Sequence, residues 1–366
     1  MTGRPSGTRG TRTRDSGRWS RSRTSRTPDL VTDGPVLRPD DAGYDEEVAT
    51  FNLATAHRPE VVVGATGTAD VVAAVCWARQ AGLPVAVQAT GHGANSPVDH
   101  GVMVNTRRMT GVRIDPAART ATIGAGAKWK AVIDAATPHG LAPLSGSSSD
   151  VGVVGYTVGG GLPVLGRAFG YAADMVRSFE VVTGDGQVQQ VDAEHEPELF
   201  WALRGGKGNV GIVTSLVCGL VPLGRFYGGG VFFPGSAAPR LLDSYRQWTA
   251  TLADTTCTAL ALLRLPPLPD IPEPLRGQFV VHLRFVHLGD RSEGEALLAP
   301  MRAVAPAIID AVDEMGYADI DHVHQDPDHP VPAKENNTLL RELTPEAVDA
   351  LLEVVGPDAS SPLTIV

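Results

Sequence analysis

This sequence predicts an α+β fold of two domains behind a polar leader. Three observations support that reading. Apolar residues come in short runs closed by turn residues, in a chain rich in Gly (41) and Pro (28) and poor in aromatics (5%), which suits short strands and tight turns rather than a helical bundle. From Pro59 onward, strand and helix signals alternate. Beyond Pro222 the texture shifts to longer strands flanked by helices, the pattern of one sheet with helices on one side. At 366 residues the chain can bury two cores. The divisions expected are a disordered leader over 1–35, a first domain over 36–222 and a second α+β domain over 223–366.

The elements follow in order. Val61, Val62 and Val63 form a short apolar strand. Thr68 caps a helix whose apolar face is Val71, Val72, Val75 and Ala78, with Asp70 in its first turn and Gly82 as its stop. A buried strand over 84–87 runs into the loop Gln88, Ala89, Thr90, Gly91, His92, Gly93, Ala94, Asn95. Short strands over 102–105, 112–115 and 120–124 come next, then a helix over 129–138. The stretch 150–170 is mostly small residues. Strands over 178–183 and 187–191 flank Gly184-Asp185-Gly186, a strong hairpin signal. A helix over 196–203 and a strand over 211–218 close the first domain. In the second, Gly228-Gly229-Gly230 leads into a strand over 231–233. It is followed by a helix over 238–252, strands over 260–265 and 278–287, and helices over 292–303 and 345–355.

Composition excludes several classes. The net charge is −10 although eight arginines, Arg4 to Arg26, crowd the start, and no basic stripe follows. The leader is therefore read as a disordered segment rather than a nucleic-acid arm. No apolar h-region follows those arginines, and no stretch is long and apolar enough to cross a membrane. Cys76, Cys218 and Cys257 lack disulfide or zinc spacing and are expected as buried thiols. The default placement is the cytoplasm, with no nucleic-acid or membrane partner.

Four glycine- or histidine-rich motifs carry the chemistry. Gly91-His92-Gly93 directly follows a buried strand. Its glycines allow close backbone approach, and its successive N–H groups suit a pyrophosphate. The imidazole would be a base, a metal ligand or an attachment point, and taken alone the triplet also suits an ordinary turn histidine. Gly155-Tyr156-Thr157-Val158-Gly159-Gly160-Gly161 is too densely apolar for a flexible linker, and its three consecutive glycines imply a backbone pressed against a ligand. Gly205-Gly206-Lys207-Gly208-Asn209-Val210-Gly211 contains a literal G-x-G-x-x-G. It follows a helix and precedes a strand, the reverse of the dinucleotide-binding order, so that fold is rejected. His322, His324, Asp326, Asp328 and His329 resemble a metal cluster, but Pro327 and Pro330 stiffen an extended segment, and a solvated loop without metal is expected.

Taken together, the GHG loop, Gly124-Ala125-Gly126-Ala127-Lys128-Trp129, GYTVGGG with Arg167, Gly170 and Asp174, and RGGKGNVGIVTS resemble the FAD-binding oxidoreductases of the vanillyl-alcohol-oxidase (PCMH) type, and among them the berberine-bridge-enzyme-like bacterial oxidases. The match runs from about residue 36 to 220 and continues more weakly beyond. The resemblance implies two small α/β subdomains gripping FAD, and a substrate domain whose sheet covers the flavin. It implies that Val87, Gln88, Ala89, Thr90, Gly91, His92, Gly93 and Asn95 hold the cofactor, with His92 bonded to it. Gly146, Ser147, Ser148, Gly152, Gly155, Tyr156, Gly160, Gly161, Ile212, Val213 and Thr214 would line it.

Some members attach FAD a second time through a Cys. Ser148 stands there, so a single attachment is expected. Members also continue for many tens of residues past a segment like 361–366, with a returning strand and often the catalytic base. The chain is thus expected to be C-terminally incomplete, with Tyr156 as the one catalytic candidate. The implied activity is oxidation of a small organic substrate with O2 as acceptor. The alternatives are a flavin-binding protein without turnover, and a non-flavin anion- or metal-binding protein.

Overall fold

The computed structural model describes residues 29–360. Most of the expected leader, residues 1–28, lies outside them. The last residues assigned to that leader are anchored instead. The buried Asp70 carboxylate accepts hydrogen bonds from Asp33 N (2.7 Å), Gly34 N (3.2 Å), Thr66 N (2.8 Å) and Thr66 Oγ1 (2.8 Å). Burial alone would raise its pKa; the bonds together hold it below the ordinary carboxylate value.

The first sheet contains β1 (Val36–Leu37), β2 (Val61–Gly64), β3 (Val85–Gln88) and β4 (Val102–Asn105), in the order β1-β2-β4-β3. β2, β4 and β3 run parallel, and the valine- and methionine-rich runs of β2 and β4 are buried on both faces. The crossover places α1 (Tyr44–Val48) and α2 (Thr68–Ala81) against this sheet. α2 ends at Gly82, whose φ of 70° suits a residue without Cβ. Thr68 does not cap it. Gly67 holds that position, and the Thr68 hydroxyl donates to Glu180 Oε1 at 2.6 Å, tying the helix to the next sheet.

That second sheet is antiparallel, with β5 (Val112–Asp115) and β6 (Thr120–Gly124) at one side. α3 (Trp129–Ala136) and a two-residue strand, β7 (Leu141–Ala142), follow, then α4 (Val153–Thr157) and α5 (Gly166–Phe169) within the small-residue stretch. β8 (Val176–Val182) and β9 (Val188–Asp192) form the expected hairpin. After α6 (Pro197–Leu203), β10 (Ile212–Gly219) enters the centre, giving the order β5-β6-β10-β8-β9. α2 packs between the two sheets, so one hydrophobic core serves both.

β11 (Val221–Pro222) pairs with β7 and leads to a third, antiparallel sheet: β12 (Arg225–Pro234), β13 (Thr256–Arg264), β14 (Phe279–His287), β15 (Ile309–Asp310) and β16 (Asp313–Gly316). β12 corrects the sequence reading. It runs straight through Gly228-Gly229-Gly230 rather than starting after them. The glycines are there for close approach: a Cβ on Gly230 would lie 2.2 Å from His282 Nε2, and one on Gly228 would lie 2.7 Å from the Phe285 carbonyl.

One face of this sheet packs on α7 (Ala238–Thr249), α8 (Arg291–Arg302) and, near the end of the described residues, α10 (Pro345–Val355). Leu241, Leu298, Met301 and Val348 meet Val231, Val281, Leu283 and Phe285 there. The opposite face sends Phe226, Cys257 and Val286 into the first core, where Tyr317, Ile320 and Val323 join them. Ile320 and Val323 flank or lie in α9 (Asp321–His324), a helical turn within the segment read from sequence as an extended solvated loop. Cys218 and Cys257 are buried as expected, whereas Cys76 is only half-buried. Among the described residues no helix is long and apolar enough to cross a membrane.

Candidate functional site

The loop after β3 is tightly built. Phe51 N donates to Thr90 O (3.1 Å), Thr50 Oγ1 to Gly91 O (2.7 Å), and both Asn52 Nδ2 (3.0 Å) and Thr55 Oγ1 (2.7 Å) to Ala94 O. Gly91 has φ 77°, and a Cβ there would sit 2.2 Å from Thr50 Oγ1, so this turn accepts only glycine. His92 is held on two sides: Nδ1 is 2.9 Å from Thr90 Oγ1, and the ring stacks on Phe51 with centroids 3.7 Å apart. Its Nε2 is buried and has no hydrogen-bond partner among the described residues. Burial lowers the His92 pKa, with Asp150 raising it and Lys128 lowering it, so the ring stands neutral. Sequence reasoning missed the 50–55 strap, because it contains no periodicity or motif.

Thr90 also joins the loop to the glycine-rich segment, since Gly152 N donates to its Oγ1 at 3.4 Å. Gly146 to Ser148 lie in a turn pinned at both ends. The Tyr317 hydroxyl donates to Pro143 O (2.6 Å), stands 3.0 Å from Ser145 Oγ and accepts from Ser145 N (3.4 Å). Asp321 accepts from Ser149 N (2.8 Å) and Ser149 Oγ (2.5 Å). Both pins come from the far half of the chain, beyond the reach of any local pattern. Asp321 adjoins the supposed metal cluster, and Asp326 lies 3.6 Å from Arg284, so part of that segment is an interface rather than a solvated loop. Among the described residues no group of three or more His, Cys, Asp or Glu side chains is placed to hold a metal.

The Tyr156 ring fills the space over Gly146 and Gly161, where a Cβ would lie 2.9 Å and 2.5 Å from its carbons, and it meets Trp129 edge-on. Its hydroxyl is buried with no hydrogen-bond partner among the described residues, and burial pushes its pKa up. That environment suits packing better than proton transfer at neutral pH. Lys207 N and Gly205 N both donate to Val158 O, which locks the third motif to the second. A Cβ on Gly208 would touch Val87 at 3.5 Å, bringing that motif against the end of β3. Ile212 and Val213 are buried. Thr214 gives its hydroxyl to Glu180 Oε1 (2.6 Å) and its carbonyl to Ala125 N (3.0 Å). Asn95 is exposed.

The loop after β3, the 146–161 segment and the 205–211 turn thus converge. Val87 (42% exposed) and Val210 (38%) show apolar surface, while Gly93, Gly155, Gly160 and Gly205 have open space where a Cβ would be. Residues 59–192 match a family described as FAD binding domain. Over 198 residues the chain is 32% identical to (R)-6-hydroxynicotine oxidase of Paenarthrobacter nicotinovorans, covering 54% of this chain and 43% of that protein. The matched region is thus similar to FAD-linked oxidoreductases.

It is also 37% identical to the FAD-dependent monooxygenase FUP4 of Fusarium proliferatum, covering 47% of this chain and 34% of that one. The chain therefore spans less than half the length of these two curated relatives. The crystal structure of 6-hydroxy-D-nicotine oxidase from Arthrobacter nicotinovorans superposes with a TM-score of 0.73 at 26% identity, over 81% of this chain and 65% of that one. Glucooligosaccharide oxidase of Acremonium strictum, which carries a 6-S-cysteinyl, 8α-N1-histidyl FAD, shares the fold with a TM-score of 0.74 at 20% identity, over 90% and 71% of the two chains. The residues present here leave room for a flavin: a buried imidazole nitrogen with no partner among the described residues, glycines facing open space and exposed valines beside them.

Proposed function

We propose that the chain is an oxidase that holds FAD between the His92 loop and the 146–161 and 205–211 segments, attached covalently through His92 alone. The observation that carries this is the His92 ring, neutral and fixed by Thr90 and Phe51, with Nε2 buried and unpartnered. Ser148, at the position of the second attachment, has a hydroxyl that accepts from Asp150 N at 3.3 Å and offers no thiolate. Bound FAD supplies a two-electron acceptor for a small organic substrate, with O2 as the terminal oxidant. The chain's own part is to orient and to exclude water. Gly91 lets the loop approach closely, Tyr156 backs Gly146 and Gly161, and the segment that follows β16 roofs the turn at 146–148 through Tyr317 and Asp321.

The test is a denaturing gel of purified protein viewed under ultraviolet light. A fluorescent band that vanishes in His92→Ala supports the covalent attachment. A dark band from protein that is yellow when native rules out the linkage but keeps the flavoprotein. Protein that stays colourless with added FAD rules out both. Turnover is read separately, as peroxide released on incubation with candidate substrates.

A further inference from the structure

Between the third sheet and the first domain lies a cavity of about 410 Å³. Its walls include Leu162, Val164, Phe285 and Val323, and it reaches Ser147, next to the proposed flavin-lining Ser148. Into this largely apolar space β14 sends Arg284, whose side chain is 15% exposed.

Arg284 is poorly satisfied for a buried cation. Its Nε reaches His282 Nδ1 at 3.4 Å and its Nη2 donates to His324 O at 3.3 Å. The nearest carboxylate, Asp326 Oδ1, stands 3.6 Å away, and Nη1 has no hydrogen-bond partner among the described residues. Other arginines in this protein are held far better. Arg108 grips Glu47 through two bonds of 2.7 Å, and Arg167, at the same cavity, donates to Leu252 O at 2.9 Å and Thr256 O at 3.1 Å. Burying a guanidinium on long contacts is unfavourable unless something else completes its shell. Burial keeps both neighbouring histidine rings neutral, with pKa values lowered to about 3 for His282 and about 4 for His324, so neither supplies a negative charge to balance the guanidinium. A planar guanidinium with a free edge in an apolar cavity matches a carboxylate.

Building on the flavin reading above, we infer that Arg284 anchors the substrate, and that the substrate class is a small, largely apolar molecule bearing a carboxylate. The carboxylate takes the free edge of the guanidinium and displaces Asp326 as its nearest anionic neighbour. The apolar body packs between Leu162, Val164 and Val286, toward Ser147.

The test uses the full chain and two probes of equal size, benzoate and neutral benzamide, titrated by calorimetry. Benzoate is expected to bind about ten- to a hundred-fold tighter, the range of one charge-assisted hydrogen-bond pair. Arg284→Gln removes the preference and Arg284→Lys keeps part of it. Asp326→Asn strengthens benzoate binding by removing the competing carboxylate, and it gives a reading even if Arg284→Gln fails to fold by circular dichroism. Equal affinity for the two probes, absence of saturable benzoate binding, a preference that survives Arg284→Gln, or weaker binding in Asp326→Asn each overturns the assignment. Flavin absorbance on the same samples separates the two readings. Colourless protein that still prefers benzoate keeps the anchor and removes the oxidase. Yellow protein with no preference removes the anchor alone.

Discussion

Replacing Tyr317 by Phe removes one oxygen from the centre of the molecule and little else. The ring is fully buried and meets Phe226 edge-on; Phe keeps that packing and leaves no cavity beyond the hydroxyl. Three buried groups lose a partner: the Pro143 carbonyl, now 2.6 Å from the hydroxyl, the Ser145 hydroxyl at 3.0 Å and the Ser145 N–H at 3.4 Å. Each buried group left unpaired costs about 1–3 kcal/mol, and the longer contacts belong at the lower end, so the expected loss is about 3–5 kcal/mol. For a protein this size that lowers the melting temperature by roughly 4–7 °C. Urea unfolding followed by circular dichroism measures the loss, and flavin content per chain measures its effect on the 146–148 turn. Both should fall together. A stability within about 0.5 kcal/mol of the parent, the range of an ordinary surface change, would show that Tyr317 is not a pin.

Two further outcomes follow from the same packing. Gly161→Ala puts a Cβ 2.5 Å from the Tyr156 ring at a residue with φ 68°, so the ring must shift. Flavin retention on gel filtration should drop while secondary structure by circular dichroism stays intact, and unchanged retention would contradict the packing described for Tyr156. His57, His282 and His324 have lowered pKa values, burial being the main cause in each. Held neutral in the fold but free to protonate when unfolded, they give stability that is complete above the ordinary histidine pKa of about 6.5 and is lost as pH falls toward their folded values. Urea midpoints should therefore decline between about pH 7 and pH 5, where carboxylates are still ionised, and a flat profile there would argue against these burials.

Much of the first domain was legible because its signals are local. Val61 to Val63 and Val102 to Val104 are buried apolar runs, and Asp185-Gly186 turns a hairpin. Gly91 and Gly161 occupy backbone conformations that demand glycine. Thr68 was misread because a hydroxyl at a helix start suits a cap, and only the tertiary fold brings Glu180 to it. Gly228 to Gly230 look like a break in any propensity scheme, yet they sit inside β12, where His282 and the Phe285 carbonyl need the space. The 322–329 segment reads as an extended solvated loop because Pro327 and Pro330 stiffen it, while Asp326 and the adjoining Asp321 face partners distant in sequence. The strap at 50–55 and the buried Arg284 leave no trace that one sequence can show, since each is defined by what lies across space from it.

The two pins on the 146–148 turn join residues 172 positions apart. Contacts of that span form late, because the intervening chain must first be ordered enough to bring its ends together. A nascent chain that has emerged through β11 already contains every strand of the first two sheets, but it lacks both Tyr317 and Asp321. The ground on which a cofactor would rest is thus completed only when the third sheet folds back over it. On the proposed placement of the flavin, cofactor loading would come at the end of folding, and the holoprotein would mark chains whose two halves have docked correctly.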